Sequence, residues 1–468
     1  MCHTFLKFNS SPYRWIGFFF LMVLIQVACK REQLKPDYPP GSNEQINTWI
    51  LDSLKRYYYW NESLPAKANI GIAPRDFFAA LKNPADRFSY LVLPSDPASY
   101  ISDSKSKYGF DYSTIKEVNT GQVIGIIKLV YNDSPASRNG LKRGDYIRKI
   151  NGTQISESNA TTLQTELLKG DKVVLGLAEI IGSSWQDTRL ANLSTGIISD
   201  QRAISRIIES GGKKIGYLNF QSFNGGLASS LKPIFASFKS EGIADLILDL
   251  RYNSGGQVAE AAGVCAMIAP SVSYTSPFIT YKGNKNGGLR TESLGAAATF
   301  DGTVNFNDLM SHNLGLPRIY ILSTGVTASA AEVVINNLKP YMQVVLIGER
   351  TLGKDEASFT INDMRKPKQV QWEMHPIVYK LFNAQGKGNY STGIEADIQV
   401  NEFTALPLLP FGEAEDPLVK AALTGITNKA KISASNRTLA EGNGTGTWTI
   451  LSDTRILTAR RSVAITHR

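Results

Sequence analysis

Apolar and polar positions along this chain form two different patterns, one with helical spacing and one that alternates between strands and helices. Near the amino end, apolar residues such as Ile50 and Leu54 recur at helical spacing from Ile46 to Tyr59. A second, shorter helix is predicted at 76–81. Residues 45–100 are therefore predicted to form a small N-terminal helical subdomain.

Between residues 190 and 405, short apolar runs alternate with amphipathic stretches. The predicted strands are Ile215–Phe220, Leu246–Leu250, Ile319–Leu322 and Gln343–Ile347, and the predicted helices are Ser229–Lys239, one that begins at Gln257, and Ala330–Leu338. This alternation predicts an α/β core. Residues 406–468 are predicted to be a partly flexible C-terminal extension, with a helix near 416–423 and a flexible glycine-rich stretch at 433–446.

The strongest chemical candidate is Ser329, which follows a predicted strand and turn and stands just before a helix. The unpaired amides and the helix dipole at such a position favour an anion, which suits an oxyanion that develops beside a serine nucleophile. Lys354 follows the next strand in a glycine-bearing loop. If this lysine is buried, its pKa falls and it can accept the serine proton. Taken alone, Ser329 could simply start a helix and Lys354 could be a solvated loop lysine.

The segments Thr327–Glu332 and Gly348–Lys354 resemble the signature of the C-terminal processing peptidases, the tail-specific serine proteases with a Ser-Lys dyad. Two further segments match in order and at family spacing, so that the resemblance covers residues 45–400: Asp249–Gly256 is similar to the Asp-Leu-Arg-x-Asn-x-Gly-Gly element, and Gly393–Asp397 resembles the closing element. The resemblance implies a crotonase-like protease core at 190–405, with Ser329 as the nucleophile and Lys354 as the general base. It also implies an oxyanion hole formed by the amides of Gly255 and Ala330.

The match has departures from the family pattern. Pro340 stands where some members carry an aspartate, and Ala396 stands where proline is usual. Ser358 replaces a glutamine that orients the base in other members, and its hydroxyl can hydrogen-bond an amine, so we assign Ser358 that orienting role. Asp249 and Arg251 are open to two interpretations, as parts of the active site or as an ion pair that braces a strand end.

Residues 105–185 resemble a PDZ domain, most clearly in Ser134–Ala136 and Gly140–Gly152, which match its small helix, turn and strand. Such domains bind a polypeptide C-terminus by adding it as a strand to a sheet. The resemblance implies a carboxylate-binding loop at Tyr108, Gly109 and Phe110, although Asp111 places a negative charge beside it. The alternative is a PDZ fold that serves only as a rigid spacer or lid.

The amino terminus indicates a location outside the cytoplasm. Lys7 and Arg14 precede the apolar run Trp15–Ile25, and a small residue then precedes Cys29. This pattern resembles a bacterial lipoprotein signal peptide over residues 1–28, with Cys29 as the lipidated residue and 29–44 as a linker. It implies a lipid anchor in the cell envelope, facing the periplasm or the exterior. Because Gln26 stands where the signal usually has an aliphatic residue, an uncleaved signal anchor stays open as the alternative.

Composition narrows the remaining function classes. The chain of 468 residues is 43% hydrophobic and 19% charged, which is ordinary for a globular protein, and its net charge of +9 contains no basic block typical of a nucleic-acid arm. Cys265 is the one cysteine after Cys29, and the four histidines are scattered. We therefore predict no metal, no cofactor and no nucleic-acid partner.

The sequence predicts an extracytoplasmic serine endopeptidase, lipid-anchored to the membrane, that recognises polypeptide substrates by their C-terminal ends. The alternative is a catalytically inactive, peptide-binding PDZ lipoprotein that keeps the protease fold. Pro340, Ser358 and Asp111 favour that alternative.

Overall fold

The computed structural model describes residues 37–96, 99, 104–182, 184–199, 203–427, 437–438 and 448–453. Its helices are α1 (Asn43–Tyr57), α2 (Pro74–Leu81), α3 (Ser104–Tyr108), α4 (Pro135–Arg138), α5 (Ala160–Lys169), α6 (Leu227–Glu241), α7 (Val258–Ile268), α8 (Leu294–Ala298), α9 (Phe306–Ser311), α10 (Ala330–Leu338) and α11 (Pro417–Thr427). Its strands are β1 (Tyr90–Val92), β2 (Phe110–Glu117), β3 (Val123–Val130), β4 (Tyr146–Ile150), β5 (Thr153–Gln154), β6 (Lys172–Ile181), β7 (Ser184–Ser194), β8 (Ile204–Ser210), β9 (Lys213–Asn219), β10 (Asp245–Asp249), β11 (Pro277–Lys282), β12 (Leu289–Ser293), β13 (Arg318–Ser323), β14 (Gln343–Gly348), β15 (Glu356–Ser358), β16 (Glu373–His375), β17 (Ile377–Asn383), β18 (Ile398–Gln399), β19 (Arg437–Thr438) and β20 (Trp448–Asp453).

The core sheet has seven strands in the order β19-β18-β14-β13-β10-β9-β8, and all neighbours except β8 and β9 run parallel. Helices cover both of its faces. Leu248 packs in a cluster with residues of α6, α7 and α10, whereas Ile247 packs on the opposite face with α11. Burial on both faces explains why these strands are continuous apolar runs and not alternating ones.

The predicted α/β elements around the candidate nucleophile are confirmed. Helix α10 begins and ends where the sequence predicts, and β14 differs from its prediction by one residue. The helix predicted near 416–423 is also confirmed, and it continues to Thr427. Because Leu418 and Val419 are fully buried beneath the core sheet, this part of the C-terminal extension is integral to the core.

The N-terminal helices are confirmed, but they do not form a core of their own. Ile50 of α1 and Phe77 of α2 pack together with Val378 of β17, and β1 pairs with β16. Helix α1 begins at Asn43, because the Ser42 hydroxyl caps it by accepting the amide of residue 45, so the predicted linker ends two residues early. The N-terminal segment is therefore joined to the core through the strands that follow the lysine loop.

The second large sheet is antiparallel and has the order β20-β2-β3-β4-β6-β7, with β5 paired to β4. Helices α4 and α5 belong to the same unit, and the predicted small helix, turn and strand are present as α4, the following turn and β4. The unit extends past the predicted end at residue 185, since β7 continues to Ser194. Its outermost strand, β20, comes from the far end of the chain.

Several predictions concern segments that lie partly or wholly outside the described residues. The proposed signal peptide at 1–28 and Cys29 lie outside the described residues, as does most of the glycine-rich stretch at 433–446. Among the helices that the structure describes, none has the length and apolar character needed to cross a membrane. Cys265 is buried in α7, where it packs as a small hydrophobic residue, and burial raises the pKa of its thiol.

Candidate active site

Ser329 stands at the tight turn between β13 and α10, in a strained backbone conformation. Its φ is +63°, a value that L residues other than glycine rarely adopt, and its side chain is 1% exposed. The turn is tied to the neighbouring strand end, because the Thr327 hydroxyl donates to the Leu250 carbonyl at 2.8 Å and the Ala328 amide donates to the Asn253 carbonyl at 3.1 Å. The fold therefore holds this serine between two structural elements.

Glu332 links the serine turn to the lysine loop, and sequence reasoning assigned it no role. This carboxylate is fully buried and accepts the amides of Ser329 at 2.7 Å, Gly353 at 2.7 Å and Lys354 at 2.8 Å, as well as the Thr351 hydroxyl. Burial raises the pKa of Glu332, while these hydrogen bonds oppose that effect. Its position three residues after Ser329, the residue that caps α10, is the capping-box pattern, which is the sequence signal that could have identified it.

Lys354 is 1% exposed, with its ammonium nitrogen 4.8 Å from the centre of the Phe88 ring. Burial lowers the pKa of Lys354 to about 7, although the negative charges of Glu356, Glu332 and Asp86 oppose that shift. A lysine with this pKa is partly neutral at physiological pH and can accept a proton. Lys354 is expected to act as a base only if it is buried, and the structure shows that it is buried.

The serine hydroxyl is buried and makes no hydrogen bond to any residue that the structure describes. Ser329 and Lys354 are nevertheless close in the fold, since their backbone amides donate to the same oxygen of Glu332. Hydrogen bonds between catalytic groups are often long or absent without substrate and form in the substrate complex. The geometry brings the two residues to one site without joining their side chains.

Gly255 lies directly against Ser329. A Cβ atom on this glycine would lie 2.6 Å from the Ser329 Cβ and 2.9 Å from the Ala328 carbonyl oxygen, and its φ is +106°, so only glycine fits. The Gly255 amide donates to the Asn253 side chain at 2.9 Å. The amide of Ala330 is the first of α10, where helix geometry provides no intrahelical acceptor. Gly255 can face an oxyanion only after its bond to Asn253 is released, a constraint that the sequence did not reveal.

Asp249 and Arg251 form the bracing ion pair that was one of the two interpretations. The Arg251 guanidinium is fully buried, with nitrogen–oxygen distances of 2.7 Å to Asp249 and 2.8 Å to Asp416 of the C-terminal extension. The Arg251 carbonyl accepts the hydroxyls of Thr324 and Thr327. The ion pair therefore stabilises the turn that carries Ser329.

The lysine loop is fixed by the closing segment and by the N-terminal segment. The Thr351 amide donates to the Ile394 carbonyl at 3.1 Å, and the Ile394 amide donates to the Thr351 hydroxyl at 2.7 Å. The Arg87 guanidinium donates to the carbonyls of Gly353 and Ser391. Segments that are far apart in sequence thus converge on Lys354.

Two of the departures from the family pattern, Ser358 and Pro340, lie near the site. Ser358 is buried at the end of β15, four residues after the lysine, and its role as an orienting group stays a prediction. Pro340 lies two residues after α10 ends, where proline fits because the helix does not continue.

The residues of the predicted carboxylate-binding loop make contacts within their own domain. The side chains of Tyr108 and Phe110 are fully buried, and the Tyr108 hydroxyl donates to the Gly170 carbonyl at 2.6 Å. The Gly109 amide donates to the Lys105 carbonyl at 3.0 Å. Peptide binding by these three residues stays a prediction, and the two aromatic side chains cannot reach a ligand from the core.

The chain matches sequence profiles of two domains, the "Peptidase family S41" domain over residues 214–400 and the "Peptidase S41 N-terminal domain" over residues 45–90. It is 24% identical over 398 residues to the carboxyl-terminal-processing protease of Synechocystis, covering 83% of each chain. It is 23% identical over 292 residues to the chloroplastic carboxyl-terminal-processing peptidase 3 of Arabidopsis thaliana, which covers 59% of this chain and 51% of that relative, so the chain spans about half of that protein's length. A crystal structure assigned to the S41 proteases, from Bacteroides fragilis, aligns with a TM-score of 0.65 and 27% identity, covering 84% of this chain and all of that one.

Proposed function

This chain carries the domains of peptidase family S41 and is a homologue of the carboxyl-terminal-processing proteases, and from that premise we propose that it is a serine endopeptidase with a Ser329–Lys354 dyad. The observation that carries the proposal is the pairing of a strained, buried serine with a buried lysine on the two sides of Glu332. The mixed α/β content supports a crotonase-like core for this dyad.

In the proposed reaction, neutral Lys354 takes the proton of the Ser329 hydroxyl while Oγ attacks the scissile carbonyl carbon. The tetrahedral oxyanion faces the amides of Gly255 and Ala330, once Gly255 leaves Asn253. The carbon–nitrogen bond then breaks, and the Lys354 ammonium protonates the leaving amine. Water, deprotonated by Lys354, attacks the acyl-enzyme and releases a carboxylic acid and the free serine.

The proposed substrates are polypeptides recognised by their C-terminal ends, with the second large sheet acting as a PDZ domain. Support comes from the order of α4, β4 and α5 and from the added strand β20 alongside β2, which shows that this edge of the sheet takes an extended segment. We also propose placement in a bacterial cell envelope through a lipid anchor on Cys29, on the sequence pattern of residues 1–28.

The second candidate is a peptide-binding protein without protease activity. It is favoured by two observations, the Ser329 hydroxyl without a hydrogen-bond partner among the described residues and the Gly255 amide held by Asn253. Cleavage of an unstructured protein with an apolar C-terminus separates the candidates. Turnover by the unaltered chain, lost in both Ser329→Ala and Lys354→Ala and kept in the exposed control Ser230→Ala, supports the dyad. Binding without turnover supports the second candidate.

A further inference from the structure

The outer edge of the second large sheet is covered by a segment from the far end of the same chain. Strand β20 (Trp448–Asp453) runs antiparallel to β2, pairing Glu117 with Trp448 and Ser113 with Asp453. It therefore runs toward the loop that precedes β2. An added strand in this place is the usual way in which an extended peptide binds to a sheet edge.

One side chain of this segment packs toward α5, and another packs in a separate cluster. Leu451 packs against the cluster that contains Leu163 and Leu167 of α5, and Trp448 packs against the cluster that contains Ile115. Ile450, next to Leu451, points to the solvent and is 41% exposed. The segment is thus anchored through Leu451 and Trp448, whereas Ile450 is exposed.

At its end, the segment places a carboxylate in a buried polar pocket. Asp453 accepts the Ser113 hydroxyl at 2.7 Å and the Lys128 ammonium at 2.5 Å, and all three side chains are buried. Asp111 lies on the other side, 3.8 Å from the Lys128 nitrogen. A buried ammonium with a hydroxyl beside it is a specific receptor for a carboxylate.

We infer that Trp448–Asp453 is an internal ligand that occupies the peptide groove between β2 and α5, and that Ser113 and Lys128 form the carboxylate-binding subsite of that groove. The inference rests on the proposed function, which needs this groove for the C-terminal end of a substrate. The preferred ligand is an extended peptide with an aliphatic residue two positions before a carboxylate, which is either an acidic side chain or a chain terminus. Such a peptide has to displace the segment.

Tethering gives the internal ligand an advantage over a free peptide. A ligand that belongs to the same chain as its site acts at an effective concentration on the order of millimolar. The apparent affinity for an added peptide is proportional to the fraction of molecules whose groove is open. Opening the groove in all molecules should therefore raise that affinity at least about tenfold.

The test measures binding of a labelled peptide with the sequence Trp-Thr-Ile-Leu-Ser-Asp and a free carboxyl end. The protein is the whole chain with Ser329→Ala, so that no cleavage occurs. Leu451→Asp removes the apolar anchor of the internal segment and is expected to tighten peptide binding at least about tenfold. Ile450→Asp, the matched control on the exposed face, is expected to bind like the parent. A chain that ends at residue 447 should bind as tightly as Leu451→Asp.

Equal affinity in the parent, Leu451→Asp and the shortened chain would overturn the inference, and so would loss of binding in the two opened proteins while circular dichroism shows them folded. If an opened protein fails to fold, hydrogen exchange of the unaltered chain decides. The amides of 448–453 should lose protection when peptide is added in excess, and unchanged protection contradicts displacement. Binding does not depend on turnover. Absent cleavage with intact displacement would therefore contradict the proposed chemistry and leave the internal ligand standing.

Discussion

Two lysines of this chain are equally buried, and they have different surroundings. Lys128 in β3 and Lys354 in the loop after β14 are each 1% exposed. The Lys128 ammonium lies 2.5 Å from an oxygen of Asp453 and 3.8 Å from one of Asp111. This lysine has direct carboxylate partners, which stabilise its charge in the interior.

Carboxylates also lie near Lys354, and each of them accepts hydrogen bonds from other groups. Glu332 accepts three backbone amides and a hydroxyl, and Glu356 pairs with Lys380 at 2.5 Å. Asp86 accepts the Tyr58 hydroxyl and two backbone amides. Burial then outweighs the attraction of these charges, and the pKa of Lys354 falls to about 7.

The comparison shows that two equally buried lysines have different electrostatic surroundings. At Lys354, burial outweighs the attraction of the nearby carboxylates, whereas at Lys128 two carboxylates lie within 3.8 Å of the ammonium nitrogen. Four substitutions or measurements break or sharpen this difference.

The largest effect is expected from Lys354→Arg. A guanidinium keeps the positive charge but cannot be deprotonated in a protein, so it cannot act as a base. We expect kcat/KM for cleavage of an unstructured protein to fall at least about 1,000-fold, which lies within the range typical of a lost general base. Lys285→Arg, at an exposed loop lysine, is the control and should keep full activity. Substantial cleavage by Lys354→Arg would show that a neutral lysine is not required.

The matching substitution at the other lysine is Lys128→Met, which should affect folding and not the chemistry. Removing the cation takes away the ammonium that faces the buried carboxylates of Asp453 and Asp111, which we expect to lower the free energy of unfolding by about 3 kcal/mol. Denaturant titration measures this change. At a temperature where the variant is folded, the midpoint of its pH–rate profile should equal that of the parent. A shifted midpoint would mean that the two lysines are coupled.

Glu332→Gln tests the residue that holds the dyad together. The side-chain amide offers one acceptor oxygen for four donors, so kcat should fall by about tenfold to 100-fold through misplacement of Ser329 and Lys354. Because the negative charge of Glu332 raises the pKa of Lys354, its removal should move the apparent pKa of the pH–rate profile below that of the parent. A loss of activity without that shift would assign Glu332 a purely structural role.

The smallest effect is the pH dependence of the unaltered protein. Only neutral Lys354 can accept the serine proton, so kcat/KM should rise with pH by about tenfold per unit below the lysine pKa and level off above it. The bend is expected near pH 7, where burial places the pKa of Lys354. Activity that does not change between pH 5.5 and 7 would exclude this base.

Local patterns predicted the parts of the site that depend on local structure. The run Ala330–Leu338 is an amphipathic helix in the sequence and in the fold, and the strands before Ser329 and Lys354 are apolar because both faces of the core sheet are buried. Glu332 carried a capping-box signal, but its bonds to Gly353 and Lys354 depend on how the following loop returns to the helix. No periodic pattern in the sequence predicts the path of that loop.

Pairing between distant segments had no sequence signal at all. Strand β20 joins residues around 450 to residues around 115, and its hydrophobic pattern is too short to indicate a partner. In the same way, the Asn253 side chain that holds the Gly255 amide belongs to a turn whose direction only the fold defines. Both features depend on tertiary contacts.

The most direct test of the account is a titration of Lys354 itself. In the unaltered protein labelled with ¹³C at lysine Cε, the NMR signal that disappears in Lys354→Arg is the signal of this residue. We predict that its chemical shift titrates with a midpoint near pH 7, because burial lowers the pKa to about 7. A midpoint above pH 10, the ordinary range of a solvated lysine, would contradict the assignment of Lys354 as the general base.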